Sequence, residues 1–121
     1  MFKQALQSIL EKTEGSLGAV IMGMDGLPVE KVFSDEGSAG NLDVAAAEFT
    51  SLIRAAGRSA NDLDLGSVRE LVVSLDSVTL VMRALHKEYF VFIALKPDGN
   101  LGRGRYELRK AELLLSKEFA V

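Results

Sequence analysis

The sequence predicts an α/β fold, more narrowly an α+β sandwich, in which a five-stranded antiparallel sheet is covered by helices above and below and the elements run α-β-β-α-β-β-β-α. Three observations predict it. Apolar residues recur at spacings of three and four at the start, middle and end of the chain, the signature of amphipathic helices. An Asp25-Gly26 pair joins two short apolar runs. Three further apolar runs follow one another with too few residues between them for any crossover.

Phe2, Ala5, Leu6, Ile9 and Leu10 set the apolar stripe of a first helix that should stop near Gly15. Leu17 to Met24 is almost wholly apolar, and Asp25-Gly26 separates it from the run Leu27 to Phe33. Both turn residues tolerate the positive φ of a tight hairpin. Pro28 has no N–H to give a ladder, so the second strand belongs at a sheet edge. The polar, glycine-containing stretch Ser34 to Gly40 reads as a loop, with Asn41 capping a helix from Leu42 to about Ala60. Asn61 to Gly66 closes that helix.

Val68 to Leu75, Val78 to Leu85 and Tyr89 to Lys96 are strand-like, and only Asp76-Ser77 and His86-Lys87-Glu88 lie between them, so they form an antiparallel meander. Asn100 offers a cap for a last helix whose inner face is Leu101, Gly104, Leu108, Ala111 and Leu115, ending about Phe119. Tyr89 to Leu95 and Leu17 to Met24 are apolar on both faces and should be inner strands. The strand order is then 2-1-5-4-3.

Composition bounds the chemistry. At 121 residues, one core can form with neither a staple nor a metal. The absence of Cys excludes disulfides, thiolate metal sites and cysteine nucleophiles, and a single His excludes a site built on several imidazoles. Fourteen Lys and Arg against 17 Asp and Glu give a net charge of −3, unlike a domain that neutralises nucleic-acid phosphates. No segment reaches the roughly 18 apolar residues of a membrane span, and the first residues lack a signal-peptide core, so a cytoplasmic protein without membrane insertion is expected.

Candidate catalytic motifs fail one by one. Gly102-Arg103-Gly104 opens like a dinucleotide fingerprint, but position 107 is Glu and the preceding strand is antiparallel. Asp62-Leu63-Asp64-Leu65-Gly66 resembles the start of a calcium loop, yet its glycine comes one residue early and Val73 stands at the twelfth position, so a helix-ending turn is expected. His86 reads as an exposed turn residue without an orienting partner. The expectation is a binding module with no catalytic residue, metal or cofactor of its own.

Two features ask for more than a core. At 100° per residue, Leu42, Ala45, Ala46, Phe49, Leu52, Ile53, Ala56 and Ala60 share the inner face of the central helix. The opposite side carries Val44, Ala47, Ser51 and Ala55, flanked by Glu48, Arg54 and Arg58. Small residues there let a partner approach closely, although alanine is also simply a good exposed helix former. The second feature is Arg103, Arg105, Arg109 and Lys110 at the start of the last helix, where cations oppose the macrodipole. A solvated face with Glu107 and Glu112 as neighbours accounts for it; an anion or an acidic partner is the alternative.

The block Gly18-Ala19-Val20-Ile21-Met22-Gly23-Met24-Asp25-Gly26-Leu27-Pro28-Val29 and the junction from Leu95 through Asn100-Leu101-Gly102-Arg103-Gly104-Arg105 to Ala111, together with the element order, resemble the roadblock family, named for a dynein light chain. The resemblance is closest to the bacterial branch that includes the gliding-motility regulator MglB. It implies one roadblock-like domain over 1–121, with the central helix on one sheet face and the terminal helices on the other.

The junction makes physical sense if Gly102 and Gly104 let the last helix lie close on the sheet. The resemblance further implies homodimers pairing through the third strand, here Val68, Arg69, Glu70, Leu71, Val72, Val73 and Ser74. It also implies a small Ras-like GTPase as partner, docked on Val44, Ala47, Ser51, Arg54, Ala55 and Arg58, with the arginines as rim contacts and not fingers. The alternatives are a dimeric scaffold or adaptor without effect on nucleotide turnover, and a module that senses a small molecule near Met22, Met24 and Phe92.

Overall fold

A computed structural model describes the backbone of residues 2–34 and 36–119, and the side chains of these except 36–41, 43 and 119. The elements are α1 (Phe2–Lys12), β1 (Ser16–Gly23), β2 (Pro28–Phe33), α2 (Glu36–Asp62), β3 (Glu70–Ser74), β4 (Thr79–His86), β5 (Tyr89–Leu95) and α3 (Leu101–Phe119). They form the five-stranded antiparallel sheet in the expected order, β2-β1-β5-β4-β3. Every residue of β5 after Tyr89 is buried, as two-sided coverage requires.

Alternation along the strands sorts two cores. Ala19, Ile21, Val81, Val91 and Ile93 pack with Leu6 and Ile9 of α1 and Leu108, Ala111 and Leu115 of α3. Val20, Met22, Leu80, Met82, Phe90 and Phe92 face the other way, onto Leu42, Ala46 and Ile53 of α2. So α1 and α3 share one face and α2 has the other. α2 packs chiefly against β1 and β2. Leu80 and Met82 of β4 are still fully buried on this face, whereas Leu71 and Val73 of β3 are half-buried, so only the β3 edge is thinly covered.

Close backbone approaches fix two joints. Gly18 lets α2 sit on β1: a Cβ there would fall 2.5 Å from Leu42 Cδ1 and 2.8 Å from Phe33 Cδ1. At the second joint the turn after α1 crosses the turn before α3. The Lys96 N–H donates to the Gly15 carbonyl (2.8 Å) and the Asn100 N–H to the Glu14 carbonyl (2.9 Å). Gly15 has φ +84° and a Cβ on it would lie 2.5 Å from Gly99 Cα, so no other residue fits there without displacement. Asn100 caps α3, its Oδ1 accepting from the Arg103 N–H at 3.0 Å.

Several expectations need correction. α2 begins at Glu36, so Asn41 lies within the helix and not at its cap. Gly37 and Gly40 each cost only about 1 kcal/mol in a helix, too little to stop one nucleated by the alanine-rich segment behind them. The buried face of α2 is turned by roughly 50° from the expected one. Leu52 is 42% exposed, while Thr50 is buried because its Oγ1 donates to the Ala46 carbonyl at 2.7 Å and brings no unpaired polar group into the core.

β3 starts two residues later than expected, leaving Val68 and Arg69 ahead of it. Gly104 does approach the sheet, at 3.0 Å from Ile93 Cδ1, but Gly102 is exposed and meets only Asn100 Oδ1 at 3.8 Å. His86 ends β4, half-buried, with its ring centroid 6.4 Å from that of Tyr89, and is not a turn residue.

Candidate interaction surface

Two surfaces built from the residues singled out above meet around the open half of the sheet. The first is the outer side of α2. Val44 is 60% exposed, Ala47 and Ser51 are exposed, and Ala55 is half-buried. Their rows of three and four make a shallow, small-residue surface, and Ser51 Oγ folds back onto the Glu48 carbonyl at 3.0 Å. Leu52 widens this surface on one flank.

Arg54 and Arg58 border this surface next to Ser51 and Ala55. Both line a cleft of about 670 Å³ at the end of the sheet, walled by α2 from Ile53 to Asn61, by Ser67 and Val68, and by Ala84 to Lys87. Arg54 Nη1 donates to the Met24 carbonyl at 2.9 Å, tying α2 to the first hairpin. Arg58 is exposed and has no ion pair among the described residues. The cleft reaches Met24 but neither Met22 nor Phe92, which are buried in the core between the layers.

The second surface is the β3 edge. The Ala84 N–H donates to the Arg69 carbonyl and the Leu75 N–H to the Val78 carbonyl, at the two ends of an unbroken five-pair register. In an antiparallel ladder such pairs alternate. Arg69, Leu71 and Val73 therefore spend their backbone groups on β4, and Glu70, Val72 and Ser74 point theirs outward. Val72 is 37% exposed, Leu71 and Val73 lie half-buried on the α2 side, and Val68 lines the cleft. The Glu70 side chain is held by Arg105 at 2.7 Å and Arg83 at 3.4 Å, and Arg83 also meets Glu112 at 2.7 Å.

Sequence reasoning missed Leu63 and Leu65, 68% and 74% exposed in the connection from α2 to β3. Two leucines inside a turn otherwise made of Asn, Asp and Gly were the available signal. Among the described residues no group of three or more His, Asp or Glu converges as a metal site, and no helix is long and apolar enough to cross a membrane.

The profile of the Roadblock/LC7 domain family matches residues 2–94. The chain belongs to this family. MglC from Myxococcus xanthus is 35% identical over 95% of this chain and 96% of that one, with a TM-score of 0.68. A Roadblock/LC7 domain from Streptomyces avermitilis is 20% identical over 98% of each chain at a TM-score of 0.84. MglB from Myxococcus xanthus is 13% identical over 97% of this chain and 93% of that one at a TM-score of 0.83. The last two likenesses speak to the fold, which extends through α3 beyond the span of the family profile. No protein with a curated description matches the sequence.

Proposed function

We propose that this roadblock chain acts as one unit over 1–121, a cytoplasmic homodimer that regulates a small Ras-like GTPase and has no active site of its own. The observation that carries the reading is the outer side of α2. Val44, Ala47, Ser51 and Ala55 keep it low, with the exposed charges of Glu48, Arg54 and Arg58 around that small-residue strip. The family resemblance makes a GTPase the expected occupant. Arg54 is tied to the Met24 carbonyl, which suits a rim contact and not an arginine finger.

Dimerisation is part of the same proposal. β3 offers outward hydrogen-bonding groups at Glu70, Val72 and Ser74, and a second copy pairing there would continue the sheet from one chain into the other. A mass that stays at 13.1 kDa at every concentration would overturn it.

The docking site is tested by Ala47→Arg combined with Ala55→Arg, which should abolish GTPase binding in a chain that still folds; retained binding removes the assignment. A second reading, a scaffold that leaves nucleotide turnover alone, is favoured by Arg54, whose guanidinium is engaged on the Met24 carbonyl and not free for a bound nucleotide. Single-turnover GTP hydrolysis by the partner separates the two. Acceleration at saturating dimer supports the activating reading, and an unchanged rate supports the scaffold.

A further inference from the structure

We propose that the outer stripe of α3 docks an acidic amphipathic helix of another protein. Leu113 is 70% exposed, Leu114 64% and Tyr106 53%, while the core contacts of the same helix are made by Leu108, Ala111 and Leu115 on its opposite side. At 100° per residue, Tyr106, Lys110, Leu113, Leu114 and Lys117 fall within about 100° of one another, a single ridge wide enough for one helix to lie along.

The charges on that ridge choose the partner. Arg103 and Lys110 flank the Tyr106 ring at 5.5 and 5.7 Å from its centroid and share the buried Glu107, at 2.8 and 3.7 Å. Their charge is partly answered within the chain, and they hold the ring in place as a stiff apolar anchor. Arg109 and Lys117 are exposed and have no ion pair among the described residues. They stand four residues before and four after Leu113, about 12 Å apart along the helix axis. A helix carrying an apolar residue between two carboxylates at the same spacing would meet all three at once.

Two other occupants fit less well. A second copy would set α3 against α3 and bring like charges together. An anionic bilayer would meet a chain of net charge −3 through a ridge only one helix wide, whereas a partner helix touches the cationic ridge alone. The proposal is independent of the GTPase reading, because α3 lies on the sheet face opposite α2.

The test uses the whole chain and a fluorescent helical peptide with leucines flanked by glutamates, compared with the same leucines flanked by lysines and with vesicles of phosphatidylcholine and phosphatidylserine. The acidic peptide should bind at least about tenfold more tightly than the basic one and weaken as salt is raised. Leu113→Glu with Leu114→Glu should abolish binding, and Arg109→Glu with Lys117→Glu, at exposed positions that leave folding intact, should reverse the preference between peptides. Equal binding of the two peptides, no binding of the acidic one, vesicle binding in its place, or a change of oligomeric state in the Leu113→Glu/Leu114→Glu variant would each overturn the proposal.

Discussion

The two edges of the sheet are guarded differently. β2 opens at Pro28, its register against β1 shifts between Ile21 and Met22, and Glu30 and Lys31 lie at its middle. β3 has neither proline nor a register shift, and its one charge, Glu70, is answered by Arg83 and Arg105: Leu71, Val72 and Val73 run in unbroken register, and the backbone groups of alternate residues face outward. α2 packs chiefly on the guarded side, and on its face only β3 is left thinly covered. Proline and irregular register are usual means of preventing edge pairing, so their confinement to β2 leaves β3 the less guarded of the two edges.

The largest expected effect lies in the guarded half, where α2 and β1 are in contact at Gly18. Gly18→Val forces Leu42 and Phe33 aside and should cost about 3 kcal/mol in urea unfolding without altering association. A loss below about 0.5 kcal/mol would show that α2 is not held there. At the open edge, Val72→Pro removes an outward N–H and spares the ladder to β4. It should raise the dimer dissociation constant about 10- to 100-fold in sedimentation while changing unfolding by under about 1 kcal/mol. Equal dimer affinity would mean that the copies meet elsewhere.

Glu70→Gln weakens the pairs with Arg83 and Arg105. Because Arg105 is half in solvent, the expected loss is only about 1 kcal/mol, seen as a fall of about 4 °C in thermal midpoint. The smallest effect belongs to Pro28→Val, which should stay within about 0.5 kcal/mol and create no new association, since the register shift and the charges of β2 remain. New oligomers in that variant would make Pro28 the main guard of its edge.

Local signals carried most of this architecture. Asp25-Gly26, the two short spacers of the meander and the Asn100 cap are decided by neighbouring residues and set the element order, while the strand order followed from Pro28 and from the apolarity of Leu17 to Met24 and Tyr89 to Leu95 on both faces. The errors arose where distant or competing terms decide. Gly37 and Gly40 read as a stop because a weak propensity was weighed without the helix behind it. The periodicity placed Leu52 inside because a wheel cannot register that Thr50 satisfies its hydroxyl on its own helix.

The exposure of Val44, Ala47 and Ser51 was legible for the same reason the core face was. The link from Arg54 to Met24 and the ties of Glu70 to Arg83 and Arg105 join residues 13 to 35 positions apart, and no spacing rule reports them.

The crossing of the two turns at Gly15 and Gly99 has a mechanical meaning. Because Glu14 and Gly15 accept from Asn100 and Lys96, α1 and α3 are launched from a shared latch at one end of the sheet. A load applied to α3 passes through that latch into α1 and the inner strand β1, and also directly to the open edge, through β4 beneath the helix and through the pair of Arg105 with Glu70 of β3. Traction on α3 is therefore divided between the inner strands and the β3 edge, and whatever holds β3 feels part of it.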